Sequence, residues 1–505
     1  MEAALKKLGL SLLATVGVVG FAYAEDLPTT KPAPDLKPNC FASFWTWLNS
    51  SPDECPLSYA GVTLYSTIDV GYDYMTHGAR FNPSNPDGVP YGISKYSQGR
   101  MFLWAPNQLS TSNVGVKINE PIADGWSLVG VAEIGFNPYS GMLANGPRSL
   151  TDNNVNTLPH QSMNGDSSRA GGWRTAQMYV GLSNKTYGAL DFGRMDSLSH
   201  DLIARYDAFG GSNAFSLVGW SSSFAGFANT EEARINTAFR YRLQYQNFRV
   251  AAMAQVGGYS QGNPTNGFYQ GQLGADFGNL SLDGVAGWSK DVVSLSNFAG
   301  ADIAQLDHTG QYFIKLNNVY YDPNMILKAT LSNNTGVLLT AKYKWEKFTF
   351  YAGYDYSRLM NPSDQYLNGF HTIALGIFVP PGQVNSSNYN YHRTLNTFGI
   401  GAKYSIFDNL DVATGFWYQT QNDFNFTVTK QGYTVGASCT GFSTGTSSSK
   451  CSGSQDGIGF LIDYKPYKRV DLYAGMMISN VYGGLASGYL HTQNMDPGVG
   501  LRVKF

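Results

Sequence analysis

The sequence predicts an all-β protein, a transmembrane antiparallel β-barrel of 16 strands. Charged residues make up only 14% of the 505 residues, whereas aromatic residues also reach 14% and glycines number 57. Soluble domains carry about 25% charged residues, so this composition is unusual for them. Beyond the first 24 residues, no apolar run is long enough for a membrane-spanning helix. Short segments of alternating apolar and polar residues recur instead, which is typical of barrel strands.

Residues 1–24 have the pattern of a secretory signal peptide. Lys6 and Lys7 precede an apolar run, and Ala22-Tyr23-Ala24 forms a small-residue cleavage site. The run is shorter than the roughly 20 residues of a spanning helix. Cleavage removes two basic residues and one acidic residue, which leaves a formal charge of about −3. Nothing in this balance indicates a nucleic-acid partner.

Residues 25–61 are predicted to form a periplasmic extension before the barrel of residues 62–505. The extension begins with a proline-rich polar stretch, which should be extended and without a core of its own. Phe41, Phe44 and Leu48 then recur at helical spacing, so a short amphipathic helical turn is expected there.

The four cysteines form two close pairs along the chain, Cys40 with Cys55 and Cys439 with Cys451. Cysteines of exported proteins form disulfides in an oxidising compartment. Four cysteines allow three connectivities, and we predict the two local links because each pair brackets one loop. Zinc needs closely spaced ligands such as Cys-x-x-Cys, which the sequence lacks. No metal or other cofactor is therefore expected.

The strand count follows from the alternation within residues 62–505. A first strand begins at Val62, a last strand runs from Gly498 to Phe505, and seven hairpins with very short polar turns lie between them. The total of 16 is even, as expected of a bacterial outer-membrane barrel. Gln311–Tyr321 and Phe370–Val379 also resemble strands, so 18 strands are possible. The predicted hairpins are Ser112–Phe136, Arg174–Arg194, Arg234–Val256, Gly271–Trp288, Val337–Tyr356, Leu395–Gln419 and Ile458–Asn480.

The connections between strands differ strongly in length. Turns inside the hairpins have a few residues, whereas connections between hairpins are long and rich in Gly, Ser and Asn. Short turns on one rim and long loops on the other are typical of a barrel inserted from the periplasm. A soluble β-sandwich also alternates, but it has modest loops and does not need aromatic residues such as Tyr343 and Tyr351 beside its turns. We therefore predict a multi-pass protein of the Gram-negative outer membrane, in contact with its lipid.

The third long connection is the candidate functional segment. It spans about forty residues between Arg194 and Arg234, far beyond the usual loop length, and it includes Phe209 and Phe215. Its apolar residues predict that it packs against the barrel interior and narrows the lumen. The two arginines would face acidic residues and place a field across the passage. The candidate acidic residues are Asp196, Asp201, Asp207, Glu231 and Glu232.

Several motifs resemble the Gram-negative porins, especially those of alphaproteobacteria. They are Leu64–Asp69 in the first strand, Ser112–Lys117 in the second, Gly188–Arg194 before the long connection, Tyr464–Tyr473 around a basic turn, and the terminal Phe505. Each motif is short, but their order along the chain makes the set fairly specific. The resemblance covers most of residues 62–505.

This resemblance implies a homotrimeric 16-stranded channel for passive diffusion of ions and small hydrophilic solutes. In such porins the third loop enters the lumen and faces basic wall residues, to which Arg194 and Arg234 correspond. Phe505 resembles the family's signal for the barrel assembly machinery. The sequence departs from the family at Asn113, where an arginine is usual, and its long loop lacks the Pro-Glu-Phe-Gly-Gly run.

Two alternatives remain at this point. Aromatic residues in the lumen would suit a solute-specific, sugar-type channel. A barrel hydrolase is a second alternative, because Gly441–Gly445 matches the nucleophile-elbow pattern and His200 precedes Asp201. That motif requires a strand, a sharp turn and a helix, whereas here it lies in a low-complexity loop. No catalytic residue is therefore assigned.

Overall fold

The computed structural model describes residues 40–78, 95, 99–139, 177–216, 234–256, 267–292, 314–316, 319–321, 332–361, 373–374, 377–378, 392–424, 428–430, 433–435, 451–486 and 491–505. The predicted signal peptide, residues 1–24, lies outside these ranges, as do Glu231, Glu232 and Cys439. Among the helices in the described ranges, none is both long enough and apolar enough to cross a membrane.

Sixteen antiparallel strands form the wall of a closed barrel. Each strand pairs with the next along the chain, and the first pairs with the last from Thr67 opposite Lys504 to Asp73 opposite Gly498. This closure confirms the predicted barrel and its strand number. The wall strands are β1 Val62–Met75, β2 Asn113–Ala123, β3 Trp126–Gly135, β4 Met178–Asn184, β5 Gly188–Asp196, β6 Arg234–Tyr245, β7 Phe248–Val256, β8 Gly267–Phe277, β9 Leu280–Val292, β10 Ser332–Trp345, β11 Phe348–Met360, β12 Arg393–Phe407, β13 Leu410–Gln421, β14 Gly453–Tyr467, β15 Val470–Gly483 and β16 Gln493–Lys504.

The two additional candidate strands, Gln311–Tyr321 and Phe370–Val379, do not join this wall, so the possibility of 18 wall strands is wrong. Ile314–Leu316 pairs with Val319–Tyr321, and Ile373–Ala374 pairs with Ile377–Phe378. Each pair forms a separate two-stranded hairpin, with strands of three or two residues. Such strands are too short to span a membrane, which requires about 9 to 11 residues. Four more short strands lie at the wall or in its connections: Leu57–Tyr59 and Met101–Trp104 pair with β1, and Val428–Lys430 pairs with Tyr433–Val435.

The two faces of the wall differ as the alternation predicts. On β16, Val499 is exposed, whereas Arg502 points to the opposite face and donates to the carboxylate of Asp471 on β15 at 2.7 Å. Leu472, the neighbour of Asp471, is exposed on the same face as Val499. The barrel therefore has an apolar outer face toward lipid and a polar inner face.

The lengths of the connections are also as predicted. Asp124 and Gly125 join β2 to β3, and both have positive φ values, 50° and 78°. Positive φ at both central residues defines the type I′ turn, whose twist matches that of the flanking strands. The other turns at this rim are equally short, for example Lys468-Arg469 between β14 and β15. The connections at the opposite rim are longer, and the third of them joins β5 to β6.

The N-terminal extension folds against the rim that carries the short turns. Its helix α1, Phe44–Leu48, begins after Ser43, whose side chain accepts a hydrogen bond from the amide of Thr46. The predicted disulfide between Cys40 and Cys55 is confirmed. It closes the loop that contains α1.

Arg469 connects this extension to the barrel. The arginine is completely buried, lies 4.3 Å from the ring centroid of Trp47, and donates to the carbonyl oxygen of Cys55 at 2.6 Å. The ring of Phe505 lies 5.7 Å from that of Trp47, and its amide donates to the carbonyl oxygen of Ser66. The extension therefore covers the last short turn and the end of the final strand.

Removal of this disulfide is expected to destabilise the protein. Replacing Cys40 and Cys55 by alanine should lower the free energy of unfolding by about 2 to 3 kcal/mol, because a link across 15 residues restricts the unfolded chain. Urea unfolding followed by tryptophan fluorescence measures this change. Glu54→Gln is the control, because it breaks the exposed ion pair with Lys468 and keeps a side-chain oxygen that can accept from the amide of Ser51, so it should cost less than about 1 kcal/mol. Equal stability of the cysteine variant and the wild type would contradict the expectation.

Candidate functional site

The third connection has a defined structure from Ser197 to Ser216. Helix α2, Leu198–Tyr206, follows β5 directly, and the hydroxyl of Ser197 accepts a hydrogen bond from the amide of His200. A tight turn follows the helix, in which the carboxylate of Asp207 accepts hydrogen bonds from the amides of Phe209 and Gly211. The hydroxyl of Ser197 thus satisfies a backbone amide at the start of the helix. The carboxylate of Asp207 satisfies two backbone amides within the turn.

Helix α2 packs against buried side chains of one part of the wall. Leu198, Leu202 and Tyr206 are buried in an apolar cluster with residues of β6 to β10. The amide of Ser199 donates to the side-chain oxygen of Gln270 on β8 at 3.2 Å. The wall residues of this cluster are Ile235, Ala238, Ala251, Met253, Phe268, Val285 and Leu338.

The segment after α2 packs against a different part of the wall. The ring of Phe209 lies 5.6 Å from Trp417 on β13, and the ring of Phe215 lies 6.2 Å from Tyr473 on β15. Both phenylalanines are buried. The same apolar cluster includes Ala413, Leu461 and Met477 from β13, β14 and β15.

A row of glycines makes room for this segment. Gly401, Gly415 and Gly459 lie directly opposite one another on β12, β13 and β14. A Cβ atom at these positions would lie 2.8 Å from Ala208 Cβ, 2.8 Å from the Phe209 ring and 2.3 Å from the Phe215 carbonyl oxygen, respectively. Any larger residue would collide with the segment, so these glycines are required by close approach of the two chains.

The third connection is also bonded to the first. The amides of Leu109 and Ser110 in the first connection donate to the carboxylate of Asp69 on β1 at 2.8 and 2.9 Å. The main-chain carbonyl oxygen of Gln108 then accepts hydrogen bonds from the hydroxyl of Ser212 at 2.8 Å and the amide of Ala214 at 2.9 Å. The two connections therefore hold each other near β1.

The predicted basic residues lie where the third connection leaves and rejoins the wall. Arg234 Nε is 2.7 Å from Asp196 Oδ1, and a guanidinium nitrogen of Arg194 donates to the main-chain carbonyl oxygen of Arg234 at 3.3 Å. All three residues are buried. The structure thus brings together two predicted basic residues and one predicted acidic residue.

The remaining predicted residues have separate surroundings. Asp201 on α2 forms an ion pair of 3.2 Å with Arg240 on β6, a buried residue that also contacts Asp191. The carboxylate of Asp207 is occupied by the loop's own backbone. Cys451 is buried and disulfide-bonded, but its predicted partner lies outside the described ranges, so this second link stays a prediction.

Sequence reasoning did not single out a second set of charges. A cavity of about 250 Å³ lies between residues 204–210 and the strands β11 to β14 and β16. Lys465 is 2.9 Å from Asp411 and 3.4 Å from Asp463, and Asp471 pairs with Arg502 and Lys504. The alternation of the last strand already places Arg502 and Lys504 on the inner face. The strand register is needed to show that Asp411, Asp463 and Lys465 lie beside the same cavity. The charged residues that line the cavity are Asp207, Lys403, Asp411, Asp463, Lys465, Arg502 and Lys504.

Asp207 predicts a pH dependence of stability. Burial raises the pKa of its carboxyl group from 3.8 to about 6, although hydrogen bonds from Gly211 and Ser216 lower it. Between these two values the folded protein binds more protons than the unfolded chain, so the stability contributed here is lost as the pH rises from about 4 to about 6. Asp207→Asn removes this titration. The stability of the wild type relative to this variant should therefore fall by up to about 3 kcal/mol over that range and stay constant above pH 7. Urea unfolding at several pH values measures it, and a constant difference would contradict the expectation.

A closed antiparallel barrel with an apolar outer face and a charged inner face is an integral protein of the outer membrane. The sequence profile of the Gram-negative porin family matches residues 11–374, which is more than half of the chain. The chain therefore belongs to the Gram-negative porins.

Individual relatives agree with this assignment. An outer membrane porin protein of Bordetella pertussis is 28% identical over 149 residues, which cover 30% of this chain and 31% of the relative. The match thus spans about a third of that relative. An anion-selective porin from Comamonas acidovorans has a similar structure, with a TM-score of 0.52, 13% identity, and coverage of 88% of this chain and 99% of that one. The trimer form of OmpT from Vibrio cholerae is also similar, with a TM-score of 0.51, 12% identity, and coverage of 88% of this chain and 99% of that one. At these identities the structural likeness shows the fold.

Proposed function

We propose that this porin is a passive channel for ions and small hydrophilic solutes, and that the third connection crosses its lumen and narrows it. One observation carries the proposal. Residues 198–206 pack on the inner-face residues of β6 to β10, and residues 208–215 pack on those of β12 to β15. In a closed barrel, a segment that contacts the inner face on two different sides lies across the interior.

The charges of the cavity explain how such a passage selects solutes. Fixed charges in a narrow water column act more strongly on a passing ion than charges at an open surface, because the protein wall has a low dielectric constant. Apolar solutes would have to displace water without replacing its hydrogen bonds, which disfavours their entry. Polar solutes and ions can interact with the lining as they pass.

The two sets of charges have different roles in this proposal. Arg234 and Arg240 hold the third connection through ion pairs with Asp196 and Asp201, and Arg194 donates to the main-chain carbonyl oxygen of Arg234. The field on the solute comes mainly from the lining of the cavity. Within the described part of the chain, Lys403 forms no ion pair, and it is the cation of this lining most able to attract an anion.

Recording from the purified protein in a planar bilayer tests this function. We expect stepwise conductance that is proportional to voltage and to salt concentration, without hydrolysis of lipid or peptide. A preparation that is correctly folded by circular dichroism but forms no channels would contradict the proposal. Conductance that millimolar sugar blocks would instead favour the solute-specific alternative.

We further infer that the channel is a homotrimer, because the similar Vibrio cholerae protein was solved in a trimer form. The smooth apolar outer face provides a surface for such contacts. Cross-linking of the detergent-solubilised protein should give a product of three chains. A product of one chain only would contradict this inference.

A further inference from the structure

Two buried carboxyl groups meet where β1 and β16 close the barrel. Asp73 and Asp496 are 1% and 0% exposed, and their carboxyl groups lie within hydrogen-bonding reach of each other. Apart from each other and the backbone amide of Tyr74, the two carboxyl groups have no hydrogen-bond partner among the described residues. No Lys or Arg side chain in the described ranges forms an ion pair with either of them. Two buried carboxyl groups that pair with each other and have no cation beside them are unusual, because buried carboxylates are normally satisfied by several donors or by cations.

The side chain of Gln108 brings an oxygen without a hydrogen-bond partner close to Asp73. Gln108 is 0% exposed, and its side-chain Oε1 has no hydrogen-bond partner among the described residues. A Cβ atom placed on Gly498 would lie 2.6 Å from this Oε1 and 3.2 Å from Asp73 Oδ1, so the two oxygens are close neighbours. The first connection thus brings a neutral oxygen close to Asp73.

Other buried acidic residues of β1 and of the neighbouring strand β15 show the contrast. The carboxylate of Asp69, four residues before Asp73 on β1, accepts hydrogen bonds from Leu109, Ser110 and the hydroxyl of Tyr473. Asp471 on β15 pairs with Arg502 and Lys504. Asp73 and Asp496 are as deeply buried, but no cation and no side-chain donor other than each other pairs with them in the described structure.

We propose that Asp73, Asp496 and the side-chain oxygen of Gln108 bind a divalent cation of the calcium class. Hard cations of this class take carboxylate and amide oxygens, and two negative charges match a divalent ion. All three side chains offer oxygen atoms, so a metal that requires nitrogen or sulfur ligands is not favoured, whereas calcium completes its coordination with main-chain oxygens and water.

The ion would connect the wall to both inward connections. Gln108 contributes its side chain to the site, while its main-chain carbonyl oxygen accepts the hydrogen bonds of Ser212 and Ala214 in the third connection. Calcium binding would therefore fix the first connection on the β1–β16 seam and, through it, one end of the third connection. This inference does not depend on the protein being a channel.

Calorimetric titration of the refolded, lipopolysaccharide-free protein with calcium chloride tests the site. Calcium should be present during refolding in a parallel sample, because the site is buried. We expect about one calcium ion per chain with a Kd on the order of 10⁻⁴ to 10⁻³ M, as in extracellular calcium modules. The melting temperature should rise with calcium and rise less with magnesium, which demands a stricter geometry.

Three variants locate the binding. D73N/D496N keeps the shape of both side chains and should abolish calcium binding and the rise in melting temperature. Q108L removes one neutral oxygen and should weaken calcium binding by about 10-fold. This is the lower end of the loss in metal affinity, about 10- to 100-fold, that follows the replacement of residues supporting a metal site. Asp355→Asn is the matched control, because it changes a buried acidic residue on β11 and should leave calcium binding unchanged.

Two results would overturn the proposal. The first is that the wild type binds no calcium in either sample, which would mean that the two carboxyl groups only share a proton. Alternatively, D73N/D496N binds calcium as tightly as the wild type, which places the ion elsewhere. If the double variant fails to fold, the comparison of the wild type with Q108L decides the same question.

Discussion

Excision of residues Ala208 to Phe215 is expected to raise the single-channel conductance severalfold. These residues fill the space between α2 and the glycines of β12 to β15, where a Cβ atom at Gly475 would lie 2.9 Å from the Phe215 ring. Their removal would leave α2 on one side of the lumen and free the other side for water. Conductance rises because the narrowest section of the water column widens. Planar bilayer recordings at high salt measure the change with the least influence of fixed charge.

The control for this excision is Phe215→Leu, which keeps the segment in place and should leave conductance close to the wild-type value. Both variants should show the same strand content by circular dichroism, because the wall ladder does not include these residues. Unchanged conductance of a correctly folded excision variant would mean that the segment does not narrow the passage.

The second large effect is expected from the cavity lining. Replacing Lys403 and Lys465 by glutamine should shift the reversal potential toward cation selectivity, because Asp411 and Asp463 then lose the cation that pairs with them. The shift should shrink as salt increases, since the Debye length falls from about 30 Å at 0.01 M to about 3 Å at 1 M. Recordings in asymmetric potassium chloride at several concentrations provide the measurement.

Lys468→Gln is the matched control for this selectivity change. It removes a lysine three residues from Lys465, but one that is half-exposed and pairs with Glu54 of the N-terminal extension. Its reversal potential should equal that of the wild type. An equal shift in both variants would show that overall charge, and not the cavity lining, sets the selectivity.

The wall was predictable because a barrel repeats one local rule. Alternation with a period of two marks each strand, and a very short polar turn marks each hairpin, so the interval from Ser112 to Phe136 corresponds closely to β2 and β3. The rule fails for segments such as Gln311–Tyr321, where alternation extends over a few residues only. A hairpin can form there without a neighbour in the wall.

The site was less predictable because it depends on register and on contacts between distant residues. Lys403 and Lys465 line one cavity, yet nothing local in the sequence relates them. Asp207 looks like a lumen charge in the sequence, but its carboxylate closes a turn of its own loop. The glycines at 401, 415 and 459 are a signal that was available, although their meaning depends on knowing that they lie opposite one another.

The central claim is that the third connection lies against the inner face of the barrel. Disulfide formation in the variant Ala208→Cys with Gly401→Cys tests it most directly, with Ala208→Cys and Ile400→Cys as the control. A Cβ atom added at Gly401 would lie 2.8 Å from Ala208 Cβ. A small shift of the backbone would bring the two Cβ atoms to the separation of about 3.5 to 4.5 Å found in disulfides. Ile400 is the neighbouring residue on the exposed outer face. Peptide mapping without reductant should find the link to position 401 and none to position 400. Absence of the link to position 401 in a correctly folded barrel would contradict the account.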